Sequence, residues 1–240
     1  MTNALSLDTY RLLGRSGLRV SPLALGAMTF GTDWGWGSDR EEARRILDVY
    51  LDRGGNFIDT ANKYTNGTSE RLVGELAGDR RERLVLATKY TLSMRPGDPN
   101  SGGNHRKSMV RSVEASLGRL RTDYIDTRKN IAAANGALTE RGLGIAEVVK
   151  AVAAESGKTP AQIALAWALL HPAVTAPILG ARTLEQLEDN LGALDVRLTD
   201  GQRARLDKAS AVELGFPHDF LARPITRGVM FGDVKIAARR

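Results

Sequence analysis

The sequence contains no cysteine, few aromatic residues and no long apolar run. Without cysteine, the chain can form neither disulfides nor thiolate metal sites, which fits a reducing compartment. No segment approaches the roughly 20 apolar residues that span a bilayer. The first residues, "MTNALSLDTYRLLGRSG", also lack the apolar stretch of a signal peptide. We therefore expect a cytoplasmic protein with no metal centre and no membrane partner.

The charge is basic, with a formal net charge of +6 and a pI near 9.8. Lysine and arginine are spread along the chain, and their clusters are short: "RKSMVR", "TRKN" and "AARR". A nucleic-acid binder would need one cationic face, and stacking platforms are scarce because only 5% of residues are aromatic. We favour a solvated basic surface and expect no nucleic-acid partner.

Residues 10 to 126 alternate between strand and helix patterns. A small hairpin is predicted over residues 10 to 20, where two glycines allow a tight turn. Buried strands are predicted in "PLALGAMTFG", "NFIDTA", "RLVLATKY" and a segment beginning "TDYID". The helices between them are a segment starting at Asp39, "TSERLVGELAG" and "RKSMVRSVEASLGRL". This alternation indicates a parallel sheet covered by helices.

After Asp126 the alternation stops. The stretch "TRKNIAAANGALTERG" has no strand run, and helices are predicted at 144 to 156 and 160 to 171. A last strand, "VTAPILGA", precedes a helix opening at Thr183 and another over 199 to 210, and the tail from Gly215 looks like a loop. A closed eight-stranded barrel typically needs about 250 residues. The chain is therefore about three βα units short of such a barrel.

Five motifs carry a family resemblance: "GAMTFG", "FIDTANKY", "LATKY", "TDYID" and "PILGARTLEQLEDNLGALDVRLT". In this order they resemble the aldo-keto reductase superfamily, whose (β/α)8 barrels reduce aldehydes and ketones with NADPH. The resemblance covers residues 10–126 and 138–210, with an apparent gap at 126/127. It implies one α/β TIM-barrel domain over residues 1–240, with an N-terminal β-hairpin and with strands five to seven absent. Two explanations stay open: about a hundred residues, about three βα units, are missing, or the chain is a natural remnant with an altered function.

Three residues are candidates for catalysis: Asp59, Tyr64 and Lys89. Hydride addition to a carbonyl leaves an alkoxide, so the site must supply a proton or a strong hydrogen bond to the oxygen. Tyr64 can be that acid, because a neighbouring ammonium stabilises the phenolate that remains. Lys89 follows on the next strand and can provide the charge, with Asp59 as its partner. Each residue alone could have a merely structural role, but all three lie at or just after strand ends, where barrel sites are built.

The cofactor candidates lie at the first and last strands of the predicted barrel. Gly26 would let the backbone approach a nicotinamide ribose, beside Ala27 and Met28. Near the last strand, the helix start and Arg182 suit a phosphate, and the resemblance makes this the adenosine 2′-phosphate of NADP(H). The complete set is Gly26, Ala27, Met28, Asp59, Gly180, Ala181, Arg182, Gln186, Asp189 and Asn190. In isolation, "EQLEDN" could also be an exposed helix face. No G-x-G-x-x-G follows a strand, so a Rossmann site is not supported.

One residue that the resemblance implies is missing. The family has a histidine after the fourth strand, whereas here "TDYID" continues directly into "TRKN". The three histidines present are His105, His171 and His218, and His105 is the least implausible substitute because it follows the third strand.

Two functions therefore stay open. The chain is either an incomplete NADPH-dependent carbonyl reductase with a small-molecule substrate or a catalytically silent nucleotide-binding or interaction protein. A jump in the backbone between Asp126 and Thr127 would favour the reductase. A continuous chain there, with neighbouring strands closing on each other, would favour the silent protein. The sequence predicts neither the carbonyl compound nor the oligomeric state.

Overall fold

The computed structural model describes residues 5–129, 139–212 and 214–231. The strands in these ranges are β1 Arg11–Leu12, β2 Arg19–Val20, β3 Ala24–Gly26, β4 Phe57–Asp59, β5 Val85–Lys89, β6 Thr127–Lys129 and β7 Ile178–Gly180. The helices are α1 Arg40–Asp52, α2 Thr68–Ala77, α3 Arg106–Leu120, α4 Glu140–Ser156, α5 Pro160–Leu170, α6 Leu184–Leu191, α7 Asp200–Ser210, α8 His218–Ala222 and α9 Pro224–Phe231. No helix in the described part of the chain is long and apolar enough to cross a membrane.

The strands form the predicted antiparallel hairpin and one parallel sheet. Strands β1 and β2 pair antiparallel, and the other five pair in the order β6-β5-β4-β3-β7. The last strand, β7, therefore lies beside β3, the first strand of this sheet, as strand eight lies beside strand one in a closed barrel. The order matches strands 8-1-2-3-4 of a (β/α)8 barrel and confirms the predicted partial barrel.

Strand β6 corrects one prediction. We expected a strand in "TDYID" and none after Asp126, whereas pairing with β5 begins at Thr127, opposite Ala87. The reason is that the Asp126 carboxylate accepts hydrogen bonds from the Leu86 amide, at 2.9 Å, and from the Arg81 guanidinium, at 3.0 Å. Asp126 thus anchors the start of the strand through its side chain, and the backbone pairs one residue later.

The two edges of the parallel sheet do not close on each other. Strands β6 and β7 are its opposite edges and do not pair with each other among the described residues. The described sheet is therefore open on the side where strands five to seven of a barrel would lie.

Two helical predictions are also corrected. Helix α4 begins at Glu140 rather than at 144, because the Thr139 hydroxyl caps it by accepting the Gly142 amide at 3.0 Å. The tail from Gly215, which we predicted to be a loop, contains α8 and α9. Pro224 occupies the first position of α9, where a missing amide hydrogen costs no helical hydrogen bond.

The sheet buries both faces, and the alternation along each strand decides which residues face which cluster. The helix-covered face contributes Leu25, Ile58, Leu86 and Leu179 to the largest hydrophobic cluster. The opposite face contributes Ala24, Phe57, Val85 and Ala87, which pack against Val20 of the hairpin. Asp59 and Lys89 follow Phe57 and Ala87 at a spacing of two, so their side chains lie on this second face, at its carboxyl end.

Tyr50 of α1 fixes the other end of these strands. Its fully buried hydroxyl lies within hydrogen-bond distance of two acceptors for its one proton, the Leu23 and Phe57 carbonyls, at 2.8 and 3.0 Å, and of the Ser21 hydroxyl at 2.7 Å. Burial raises the pKa of Tyr50 to about 12. Gly55 lies against the ring, where an added Cβ would come within 2.4 Å of Cζ. Helix α1 is thereby tied to the starts of β3 and β4.

Candidate active site

A buried ion pair joins the carboxyl ends of β4 and β5. Lys89 Nζ donates to Asp59 Oδ1 and, at 2.9 Å, to the Thr60 carbonyl. The side chains of Lys89 and Asp59 are 10% and 3% exposed. Removing either charge from water alone would be costly, so the two ions depend on each other and on the surrounding hydrogen bonds. The pair therefore fixes the position of the Lys89 ammonium at the carboxyl edge of the sheet.

Tyr64 lies next to this charge. Lys89 Nζ is 4.7 Å from the centroid of the Tyr64 ring, within the range of a cation–π contact. The ring of Trp34 meets the Tyr64 ring edge-on, with centroids 6.4 Å apart and an interplanar angle of 81°. Tyr64 is half-buried, so one part of the phenol contacts the ion pair and another part reaches solvent. A half-exposed phenol beside an ammonium can donate a proton to a bound oxygen.

The turn after Tyr64 has an unusual backbone that holds the phenol in place. Thr65 and Asn66 both have left-handed conformations, with φ of 43° and 54°. The Thr65 hydroxyl offsets part of this strain by donating to the Phe30 carbonyl at 2.7 Å and by accepting the Ser69 amide at 2.9 Å. Because Thr65 is fully buried, the surrounding structure fixes this conformation.

Sequence reasoning missed a buried acid behind Lys89. Glu70 of α2 is fully buried, and it accepts the Thr88 hydroxyl at 2.6 Å and Arg119 Nε at 2.7 Å. Thr88 immediately precedes Lys89, so this network fixes the end of β5. Its only sequence signal was an acid in the first turn of a helix, a pattern that usually means a solvated residue. The burial follows from Arg119, which lies 49 residues away in the sequence.

The aromatic residues beside Tyr64 were also missed. Trp34 and Trp36 have ring centroids 5.6 Å apart, and Trp36 is 40% exposed. Met28, at the end of β3, is 42% exposed. A usable signal was present, since two of the three tryptophans of the chain occur in "DWGW". Such apolar surface beside a polar group is typical of small-molecule sites.

The turn after β7 carries the second group of candidates, and hydrogen bonds hold its polar atoms in place. Gln186 Oε1 accepts the Arg182 amide at 2.8 Å, and Asn190 Nδ2 donates to the Gly180 carbonyl at 3.1 Å. The Ala181 carbonyl accepts the Thr29 hydroxyl at 2.6 Å. The Arg182 side chain is exposed, and an added Cβ at Gly180 would meet open space. The turn therefore presents accessible backbone and a cationic side chain.

The start of α6 differs from the expected phosphate site. The Leu184 amide donates to Glu42 Oε1 at 2.6 Å, so a carboxylate from α1 already occupies this helix start. An anion at this turn would therefore contact the Arg182 guanidinium rather than the Leu184 amide.

Three other cofactor candidates have structural partners that the sequence did not reveal. Asp189 is aimed at α5, where its carboxylate accepts the Thr159 hydroxyl at 3.1 Å and Gln162 Nε2 at 3.0 Å. Gly26 allows β3 and β7 to approach, since an added Cβ would lie 2.9 Å from a methyl carbon of Ile178. The Ala27 amide donates to the Asp59 carbonyl at 2.8 Å.

The three histidines lie elsewhere. His105 caps α3, with Nδ1 accepting the Ser108 amide at 3.2 Å. His171 lies at the end of α5, and His218 begins α8. Among the residues whose placement is described, no group of histidine and acidic side chains could hold a metal ion.

Comparison with known proteins gives a family match. A sequence model of the aldo/keto reductase family matches residues 22–129 and 126–211. Norsolorinic acid reductase stcV of Emericella nidulans is 50% identical over 121 residues, which are 46% of this chain and 31% of that protein. Aryl-alcohol dehydrogenase GME11368 of Pestalotiopsis microspora is 45% identical over 130 residues, 50% of this chain and 34% of that protein. Putative aryl-alcohol dehydrogenase AAD6 of Saccharomyces cerevisiae is 44% identical over 132 residues, 50% of this chain and 62% of that protein. The chain thus spans only part of the length of each relative.

Proposed function

Because the chain belongs to the aldo/keto reductase family of oxidoreductases, we propose that its barrel, when complete, reduces aldehydes or ketones to alcohols with NADPH, with Tyr64 as the proton donor. The observation that carries the proposal is the position of the Lys89 ammonium. It contacts the Asp59 carboxylate on one side and the Tyr64 ring on the other.

The chemistry assigned to these residues is proton transfer at the carbonyl oxygen. When bound, the nicotinamide supplies a hydride to the carbonyl carbon. As negative charge develops on the oxygen, the Tyr64 phenol donates its proton, and the product is the neutral alcohol. The Lys89 ammonium stabilises the phenolate that remains, until a proton from solvent restores the phenol. Asp59 holds the ammonium at the strand end.

NADP(H) would be held along the turns after β3 and β7. The exposed Arg182 guanidinium suits the 2′-phosphate and gives a preference for NADP over NAD. The accessible backbone of Gly180, with Gln186 and Asn190 beside it, suits the rest of the adenosine half. Of the proposed contacts Asp189 fits least well, because its carboxylate is engaged by α5.

For the substrate we propose an aromatic aldehyde or ketone. The exposed Trp36, which contacts Trp34, and the edge-on contact between Trp34 and Tyr64 form apolar surface beside the proton donor. Aromatic rings stack favourably on such surface, with a gain of about 0.5–1.5 kcal/mol beyond the burial of area. The two relatives named aryl-alcohol dehydrogenase are in accord with this class.

A second candidate function, nucleotide binding without turnover, is favoured for the chain as it stands. The positions of the three histidines, away from the ion pair, support it. The Arg182 turn follows β7, which lies next to β3, so the proposed nucleotide contacts come from strands that the described sheet contains.

The test uses a completed barrel, in which the corresponding βα units of a full-length family member are inserted after Lys129. Tyr64→Phe should lower the rate of NADPH-dependent aldehyde reduction by about 10²–10⁴-fold, the usual contribution of a general acid. Tyr124→Phe is the matched control, because Tyr124 is exposed and its ring stacks on Arg81, a contact that phenylalanine retains. Full turnover by Tyr64→Phe would refute the assignment.

A further inference from the structure

A cationic cavity lies beside α3, separate from the Tyr64 phenol and the Arg182 turn. Its volume is ≈ 290 Å³. The polar residues that line it include Arg95, Arg111, Arg119, Ser101, Ser108 and Ser112. Arg119 bonds Glu70 of α2, so the cavity lies on the side of α3 that packs against α2.

Two buried polar atoms on the wall of this cavity lack a hydrogen-bond partner among the described residues. They are Asn62 Oδ1 and Ser108 Oγ, and each residue is 1% exposed. Asn62 Nδ2 donates to the Tyr90 and Leu92 carbonyls at 3.4 and 3.2 Å. These two bonds identify the nitrogen of the side-chain amide, so the atom without a partner is the oxygen, Oδ1. Folded proteins seldom leave such atoms unsatisfied, so each points to something that the cavity binds.

The charges around the cavity favour an anion. Three arginines line it, and their ion-pair partners are Asp98 and Glu70. Asp98 Oδ2 is 3.6 Å from Arg95 and 3.7 Å from Arg111, beyond hydrogen-bond distance, so these guanidiniums keep donors for another acceptor. Arg119 donates from Nε to Glu70 and from Nη2 to Ser116, the latter at 3.3 Å. Its third nitrogen, Nη1, remains available to donate to a bound anion.

We propose that this cavity binds a small phosphate, either free or as a monoester. Phosphate oxygens accept hydrogen bonds from the arginines and from the Ser108 hydroxyl. Inorganic phosphate retains a P–OH group near neutral pH, and this group donates to Asn62 Oδ1. A phosphate monoester is mostly without a P–OH at this pH, so a hydroxyl of its organic part would make this contact. Sulfate and simple carboxylates carry the charge but have no such donor at this pH. The site is independent of the reductase proposal. Asn62 also connects it to the active-site edge, because the backbone amide of Asn62 donates to the Lys89 carbonyl at 3.0 Å.

The experiment is isothermal titration calorimetry of the full chain with inorganic phosphate, glycerol phosphate and sulfate. We expect saturable binding of phosphate at one site and binding of sulfate that is weaker by several-fold. Ser108→Ala and Arg111→Ala should each weaken phosphate binding about tenfold, since each removes a hydrogen bond to a charged group. Tighter binding of glycerol phosphate than of phosphate would identify a monoester as the ligand, and the reverse order would identify the free anion.

Two further variants control for charge and for location. Arg203→Ala is the matched control, because Arg203 is a half-exposed helical residue whose ion pair with Asp207, at 3.6 Å, resembles that of Arg111 with Asp98. Arg182→Ala tests whether phosphate binds at the proposed cofactor turn instead. Arg203→Ala should bind phosphate as the unmodified chain does, with circular dichroism melting curves to verify folding. In the Arg182→Ala background, Ser108→Ala and Arg111→Ala should still weaken phosphate binding about tenfold. Absence of saturable binding, sulfate binding as tight as phosphate binding, an equal loss in Arg203→Ala, or no such weakening in the Arg182→Ala background would overturn the proposal.

Discussion

Lys89 donates a hydrogen bond to Asp59 at a place where both side chains are almost wholly removed from water. The two residues lie on adjacent strands, and both lie on the face of the sheet opposite the helices α1 and α2. Such a pair is weak evidence for stability in itself, since its desolvation offsets much of the attraction. Its position at a strand end, beside a half-exposed phenol, is better explained by the proposed chemistry.

Breaking this ion pair from one side should destabilise the protein. Lys89→Met leaves the Asp59 carboxylate buried without its cation, so we expect the free energy of unfolding to fall by about 3–5 kcal/mol. The double variant Asp59→Asn with Lys89→Met should lose less, because no buried charge then remains. Chemical denaturation monitored by circular dichroism measures both effects.

The control for this experiment is an exposed pair. Arg205→Met removes the partner of Glu155 on the surface, where water replaces the lost interaction, and it should change the midpoint little. If Lys89→Met were as mild as Arg205→Met, the buried ion pair described above would be wrong.

Tyr50 should make the stability fall at alkaline pH. Its pKa is about 12 in the folded protein, compared with 10.0 for an ordinary tyrosine, because burial disfavours the phenolate. Because the pKa of Tyr50 is higher in the folded than in the unfolded protein, the neutral phenol contributes to the free energy of unfolding. This contribution is complete below pH 10 and is lost as the pH rises through about 12. Two pKa units correspond to about 3 kcal/mol. Urea denaturation at several pH values between about 9 and 12 measures this loss.

The comparison variant is Tyr50→Phe, which cannot ionise. It should be less stable than the unmodified protein near neutral pH, by about 1–3 kcal/mol, because the Leu23 and Phe57 carbonyls lose a buried donor. The difference between the two proteins should then shrink as the pH rises from 10 to 12. A difference that stays constant over this range would contradict the proposed effect of burial.

The fold was predictable wherever local signals and tertiary packing agree. Helix α3 begins and ends where its pattern indicated, and the helix starting at Asp39 has the expected cap, with Asp39 accepting the Glu42 amide at 2.9 Å. The errors occurred where a side chain competes with the backbone. Asp126 anchors β6 by accepting from Leu86, and Thr139 starts α4 early, and neither contact can be read from a hydrophobic pattern.

The candidate site was predictable to the extent that its residues end strands. Parallel strands place their carboxyl ends together, so Asp59, Lys89 and the Arg182 turn were expected at one edge. The burial of Glu70 was not predictable, because it depends on Arg119 from a distant helix. The orientation of Asp189 was also hidden, since residues of a short helix are accessible on every side until a neighbour such as α5 is placed.

Arg182 should distinguish NADPH from NADH. Arg182→Ala in the completed barrel should weaken NADPH binding about tenfold or more, because it removes charge-assisted hydrogen bonds to the 2′-phosphate. NADH lacks this phosphate, so its affinity should change little. Fluorescence titration with both dinucleotides measures the ratio. Arg53→Ala is the control, since Arg53 forms an exposed ion pair with Glu188 of α6, at 3.0 Å. Equal losses for both dinucleotides in Arg182→Ala would refute the assignment.

The chain of 240 residues should itself show little or no NADPH-dependent reduction of nitrobenzaldehyde or methylglyoxal. The sheet formed by the described residues is open between β6 and β7, so within that part of the chain no units complete the wall around the phenol. Misplacement of reacting groups by about 1 Å can already cost a hundredfold in rate. Initial rates of NADPH oxidation, compared between this chain and the completed barrel, give the measurement. If the chain turned over robustly and Tyr64→Phe abolished that turnover, a group within these residues would have replaced the missing histidine, and His105 would be the first to test by substitution.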